Sequence, residues 1–158
     1  MTSEIPETSE TPETEWATVD YVVDIVAVDP DGQVLEIQRR WDPFAGKWAL
    51  PGGYVDAGET SKRAAVRELG EETGVEVTED DLILVGVFDT PDRDPRGRVV
   101  SVAYAALVPA GTTAVAADDA AATRWMPLTA DPDDLAFDHA EILHTARGTL
   151  AWAGLPRL

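Results

Sequence analysis

Gly53-Tyr54-Val55-Asp56-Ala57-Gly58-Glu59 is followed, seven residues later, by Arg67-Glu68-Leu69-Gly70-Glu71-Glu72-Thr73-Gly74-Val75. The spacing predicts a helix over 60–73. Thr60 or Ser61 can cap its start, and Gly74 stands where a helix-ending glycine belongs. Ala64, Ala65, Leu69 and Thr73 form the packing stripe, interrupted by Gly70. Glu68, Glu71 and Glu72 follow i, i+3, i+4 spacing, which places three carboxylates on one face. Such pairs disfavour an isolated helix by a few tenths of a kcal/mol each, and the negative end of the helix dipole adds to the penalty. A hard divalent cation with oxygen ligands would compensate, and Arg67 can orient the carboxylates. Gly52 and Gly53 allow close backbone approach to the helix and can leave a carbonyl free as a further ligand. Glu59, one residue before the helix, can reach the same place.

Outward from this helix the pattern is mixed. Val19 to Val28 is β-branched and apolar and predicts a strand. Pro30-Asp31-Gly32 signals a turn, and Gln33 to Arg40 reads as the returning strand of a hairpin. Trp48 to Leu50 is short and apolar, broken by Pro51-Gly52-Gly53. Leu82 to Phe88, Val99 to Val108 and Arg124 to Leu128 read as further strands, with a charged loop over 89–98. Asp138, with Glu141 three residues on, predicts a capping box for a last helix whose stripe is Ile142, Leu143, Ala146 and Leu150. These elements give an α/β layered domain over 16–158. Residues 1–15 contain five glutamates and no basic residue; such an acidic tail buries too little apolar surface to offset its ordering entropy and is expected to be disordered.

The chain has 158 residues, which suits one domain, and a net charge of −18, which disfavours nucleic acid and anionic membranes as partners. No apolar run approaches a membrane span, and no signal-peptide pattern opens the chain. Cysteine is absent, which excludes disulfides and thiolate chemistry and fits a cytoplasmic protein. Nine of the twelve basic residues fall between Arg39 and Arg98. That local concentration suits a small anionic ligand.

Residues 53–75 resemble the Nudix box, G-x5-E-x7-R-E-U-x-E-E-x-G-U with U aliphatic, matched at Gly53, Glu59, Arg67, Glu68, Leu69, Glu71, Glu72, Gly74 and Val75. The resemblance implies the Nudix fold, a mixed β-sheet sandwiched between α-helices. It also implies hydrolysis of a nucleoside diphosphate linked to another moiety, with Mg2+ or Mn2+. Glu68 and Glu72 are then metal ligands, joined by the Gly52 carbonyl, with Glu71 a further ligand or a positioner of water. Glu59 and Arg67 support the cluster. In this family the general base can lie on a later loop, where Asp118 and Asp119 are the candidates. The partner implied is a small nucleotide, and the resemblance leaves room for a homodimer.

The box does not choose the substrate. Family members that cleave ADP-ribose often carry a proline sixteen residues past the box, the spacing from Val75 to Pro91. The loop over 88–101 resembles that of the ADP-ribose pyrophosphatase group. Arg96 and Arg98 there, and Arg39 or Arg40 on the second strand, are candidates to bind phosphate or ribose, since guanidinium forks suit such oxygens. Tyr21, Trp48 and Phe88 are candidate stacking partners for a base. His139 and His144 lack the i, i+4 spacing of a helical metal pair and read as structural. The leading expectation is ADP-ribose hydrolysis to AMP and ribose 5-phosphate. The rivals are a nucleoside triphosphate pyrophosphohydrolase and a non-catalytic ADP-ribose-sensing regulator. About 30 residues follow Pro127, too few for a DNA-binding domain, and the charge opposes DNA.

Overall fold

The computed structural model describes residues 16–153; the acidic segment over 1–15 lies outside them. Seven strands form one mixed sheet: β1 (Asp20–Val28), β2 (Gln33–Arg39), β3 (Trp48–Ala49), β4 (Gly52–Tyr54), β5 (Leu82–Phe88), β6 (Val99–Leu107) and β7 (Ala120–Pro127). The order β3-β2-β1-β6-β5 forms its spine, with β4 on β1 and β7 on β2. β1 and β6 run parallel, from Asp20 opposite Val99 to Val28 opposite Leu107; the other pairings are antiparallel.

The alternation of β1 assigns the two faces. Val23, Ile25 and Ala27 pack with Ala64, Ala65 and Leu69 of α1 (Ser61–Thr73). Val26 and Val28 pack with Ile142, Leu143, Ala146 and Leu150 of α2 (His139–Trp152). The sheet is thus sandwiched between the two helices, as expected. Among the described residues, no helix is long and apolar enough to cross a membrane.

The local signals around α1 hold. Thr60 Oγ1 accepts the Arg63 N–H at 3.2 Å. Gly74, at φ 69°, closes the helix with its N–H on the Gly70 carbonyl at 2.9 Å.

Three expectations need correction. Gly52–Tyr54 is a strand, not only a break. A Cβ at Gly52 would collide with the Val23 carbonyl oxygen, so glycine is what lets β4 lie against β1. β7 starts at Ala120, not Arg124: the alanines there carry no strand preference of their own, and pairing with β2 overrides it. Asp138 makes no side-chain cap for α2, because its carboxylate is taken by Arg93, at 2.8 and 2.6 Å.

Candidate active site

Arg67 is the hub of the acidic cluster. It lies on α1 one turn before Glu71, so its guanidinium can sweep over both the helix face and the loop before it. Nε and Nη2 donate to the two carboxylate oxygens of Glu59, each at 3.0 Å. Nη1 donates to Glu68 at 2.8 Å and Glu71 at 3.2 Å, and Nη2 also donates to the Tyr54 carbonyl at 2.9 Å. A planar fork can make these contacts; an ammonium could not. Hydrogen bonding to Arg67 lowers the Glu59 pKa from its ordinary value. Burial pushes the Glu68 carboxyl up, against the pull of Arg67.

Glu72 faces inward and is only 5% exposed. Its Oε2 accepts the Gly52 N–H at 2.9 Å. Burial, with the charges of Glu68, Asp119 and Asp24 adding to it, pushes its pKa up to about 8 despite that hydrogen bond. Gly53 serves Glu68 in a different way: a Cβ there would fall within 2.7 Å of both Glu68 carboxylate oxygens. The two glycines therefore have separate tasks, one a donor to Glu72 and one a vacated volume for Glu68. Among the described residues, no three carboxylates already converge as a closed metal site. The donors are nonetheless all hard oxygens, the Glu68 carboxylate fills the space Gly53 leaves, and Glu72 is a buried acid whose charged form a nearby cation would favour. These features fit a divalent ion.

The loop after β6 is tied to the end of α1. Val115 N donates to the Thr73 carbonyl and Ala117 N to the Glu72 carbonyl, each at 2.9 Å. These bonds satisfy two carbonyls that the helix end leaves open and carry Asp118 and Asp119 to the same cleft as Glu68, Glu71 and Glu72. Arg40 holds the loop from β2: its N–H donates to the Asp119 carbonyl at 3.0 Å and its Nη2 to the Ala120 carbonyl at 2.9 Å.

The cleft has a volume of about 630 Å³, in the range of small-molecule sites. Arg39 and Arg96 line the same cleft, both over the Phe137 ring, at 4.8 and 5.7 Å from its centroid. Arg39 spends Nε on the Pro43 carbonyl, and among the described residues it forms no ion pair. Arg96 spends Nε and Nη2 on Asp94. Burial, then the charge of Arg96, lowers the Arg39 pKa, so an anion placed beside Arg39 would favour its charged form.

Pro91 and Arg98 do not line this cleft; Pro91 is exposed and Arg98 donates to the Asp89 carbonyl. Tyr21, Trp48 and Phe88 do not line it either. One face of Trp48 is covered by Arg124, at 4.2 Å, and Phe88 packs on the α2 side of the core. The exposed aromatic side chains that do line the cleft are Trp41 and Tyr54.

Sequence reasoning missed the polar floor of the cleft. Asp24 is 6% exposed on the α2 face of β1. Its Oδ2 accepts the Ser101 hydroxyl at 2.6 Å and lies 3.5 Å from Arg93 Nη2, and its Oδ1 lies 3.2 Å from His139 Nε2. Burial opposes the ionisation of Asp24, but His139, Ser101 and Arg93 outweigh it and lower the carboxyl pKa. The available signal was parity: Asp24 shares a face with Val26 and Val28, so a charge in that strand needs buried partners.

A NUDIX domain matches residues 7–146, more than half of the chain. The chain belongs to the Nudix family. Its relatives include an ADP-ribose pyrophosphatase of Methanocaldococcus jannaschii, 43% identical over 127 residues that make up 78% of this chain and 73% of the relative. Among solved Nudix structures it resembles the NUDIX domain of Shewanella oneidensis NrtR complexed with ADP ribose, with TM-score 0.73 and 31% identity over 89% of this chain and 94% of that one. It also resembles a bifunctional NMN adenylyltransferase/ADP ribose pyrophosphatase from Francisella tularensis, complexed with AMP and a Mn ion. There the TM-score is 0.72 at 29% identity, over 89% of this chain and 43% of that one. The chain spans less than two thirds of the length of several solved proteins that it matches.

Proposed function

We propose that this Nudix protein hydrolyses the diphosphate of ADP-ribose to AMP and ribose 5-phosphate, with Mg2+ or Mn2+. The observation that carries this reading is a single cleft that gathers acidic and basic side chains around one volume. Glu68, Glu71 and Glu72 line it together with Arg39 and Arg96, which both lie over Phe137. A diphosphate that joins two ribosyl groups has charge in its middle and neutral, planar or hydroxylated groups at its ends. The carboxylates suit a metal-held phosphate, the guanidinium pair the adjoining phosphate or ribose, and exposed Trp41 or Tyr54 a stacked adenine. The names of the Methanocaldococcus, Shewanella and Francisella proteins support the same substrate.

Glu68 and Glu72, with Glu71 and the Gly52 carbonyl, would hold the metal. When bound, the metal neutralises charge on the phosphoryl oxygens and lowers the pKa of water. Arg67 and Glu59 keep Glu68 in place. Asp119 is the general base: it takes a proton from the attacking water as the new P–O bond forms, and the bond from that phosphorus to the bridging oxygen breaks. Pro91 and Arg98 shape the flanking loop without reaching the cleft. The reaction is cytoplasmic, on a soluble nucleotide.

The test is kcat/KM for ADP-ribose against ATP and oxidised deoxynucleoside triphosphates, with Mg2+ and with Mn2+. ADP-ribose should rank first. A triphosphate ranking first would replace this substrate by that of the rival pyrophosphohydrolase. Tight ADP-ribose binding without turnover in either metal would instead favour the sensing regulator.

A further inference from the structure

The site depends on a backbone segment, Leu50-Pro51-Gly52, whose Pro51 carbonyl accepts the Ile25 N–H at 2.8 Å. Proline has no N–H, so Leu50 and Gly52 supply the only amide donors of this link. Gly52 gives its N–H to Glu72. Leu50 gives its N–H to no backbone group; it donates at 2.9 Å to Nδ1 of His139, the first residue of α2, which packs on the same side of the sheet as Leu50. A ring nitrogen that accepts an amide proton carries no proton itself, so the His139 proton is on Nε2, which faces Asp24 Oδ1 at 3.2 Å.

Asp24 completes the circuit. It pairs with Gly52 in the β1–β4 ladder, and a Cβ at Gly52 would lie 2.9 Å from Asp24 Oδ1. The oxygen that faces His139 thus also excludes any side chain at position 52. Arg93 fastens the far side, bonded to Asp138 and 3.5 Å from Asp24. Securing α2 to the sheet would not need an imidazole aimed at an amide next to the site. The core of Ile142, Leu143, Ala146 and Leu150 already does that.

We propose that His139 is a positioning residue for the acidic cluster of the cleft, acting through the Leu50 N–H on Gly52 and so on Glu72. The inference rests on the reading of Glu72 as a metal ligand. Groups that orient a ligand from behind typically change metal affinity or activity by roughly 10- to 100-fold when removed.

Two substitutions separate the His139 contacts. In His139→Asn the amide oxygen can stand where Nδ1 stands, keeping the Leu50 contact and giving up Asp24. In His139→Gln the amide nitrogen can stand where Nε2 stands, keeping Asp24 and giving up Leu50. Mn2+ affinity of the full chain is measured by calorimetry, and kcat and KM on ADP-ribose separately. The glutamine variant should bind Mn2+ about tenfold more weakly and lose about tenfold in kcat, with KM changed less than about threefold. The asparagine variant should stay within about threefold of the parent in all three. Equal impairment of both variants, or parental Mn2+ affinity in the glutamine variant, overturns the proposal. So does loss of Mn2+ affinity in a folded asparagine variant, or failure of the parent to bind Mn2+. A parent that binds Mn2+ but leaves ADP-ribose intact refutes the substrate reading, while the affinities still decide the role of His139.

Discussion

Replacing Glu72 by glutamine should stabilise the metal-free protein and remove its response to metal. The buried Glu72 carboxyl has its pKa raised from an ordinary 4.5 to about 8. A carboxyl raised in this way favours the folded state fully below its unfolded pKa, and that advantage is lost as pH rises through the folded value. From pH 4.5 to 7 the unfolded chain has released a proton that the folded one retains, at about 1.4 kcal/mol per pH unit, so the penalty at pH 7 is of order 3 kcal/mol. Glutamine has nearly the same shape, and its amide oxygen can still accept the Gly52 N–H. In chelator at pH 7, urea unfolding should therefore show the variant more stable by up to about 3 kcal/mol, with a flatter dependence on pH between about 5 and 8. Adding Mg2+ or Mn2+ should raise the parent's Tm and leave the variant's unchanged, because a neutral amide is a poor substitute for a carboxylate ligand. A variant less stable than the parent in chelator, or equally stabilised by metal, would refute the reasoning.

Gly53→Ala places a methyl group within 2.7 Å of both Glu68 carboxylate oxygens; it should lower kcat at least tenfold with an unchanged circular dichroism spectrum, and parental turnover would show that the close approach is incidental. Arg96→Ala should weaken kcat/KM on ADP-ribose by roughly 10-fold or more through loss of a charge-assisted contact, whereas Arg98→Ala, outside the cleft, should stay within a few tenths of a kcal/mol of the parent; steady-state kinetics on both variants reverses the assignment if the order is opposite. Asp119→Asn should reduce kcat by about 10²- to 10⁴-fold while calorimetry finds Mn2+ affinity little changed; a variant with full turnover would move the base to Glu71 or elsewhere.

What could be read from the sequence was what is decided locally. The α1 cap at Thr60, the terminating Gly74 and the stripe of Ala64, Ala65 and Leu69 each depend on residues within two turns of one another. The acidic spacing on that helix is equally local, which is why the candidate metal ligands were legible. Inward burial of Glu72 was not, because it depends on the backbone of Gly52, twenty residues away. The strand character of Gly52–Tyr54 and of the alanines of β7 comes from their partners, β1 and β2. The Asp24, Arg93 and His139 network gathers side chains from a strand, a loop and a helix, so only the burial parity of Asp24 announced it. The loop arginines looked alike in sequence; Asp94 and Phe137 hold Arg96 to the cleft, while Arg98 turns to the Asp89 carbonyl.

The most direct test of the account is identification of the products of ADP-ribose. The parent protein, incubated with ADP-ribose and Mg2+ or Mn2+ and followed by chromatography, should yield AMP and ribose 5-phosphate in equal amounts, and neither in excess chelator. Release of free ADP-ribose fragments in any other ratio, turnover undiminished in chelator, or intact ADP-ribose in the presence of both metals would contradict it.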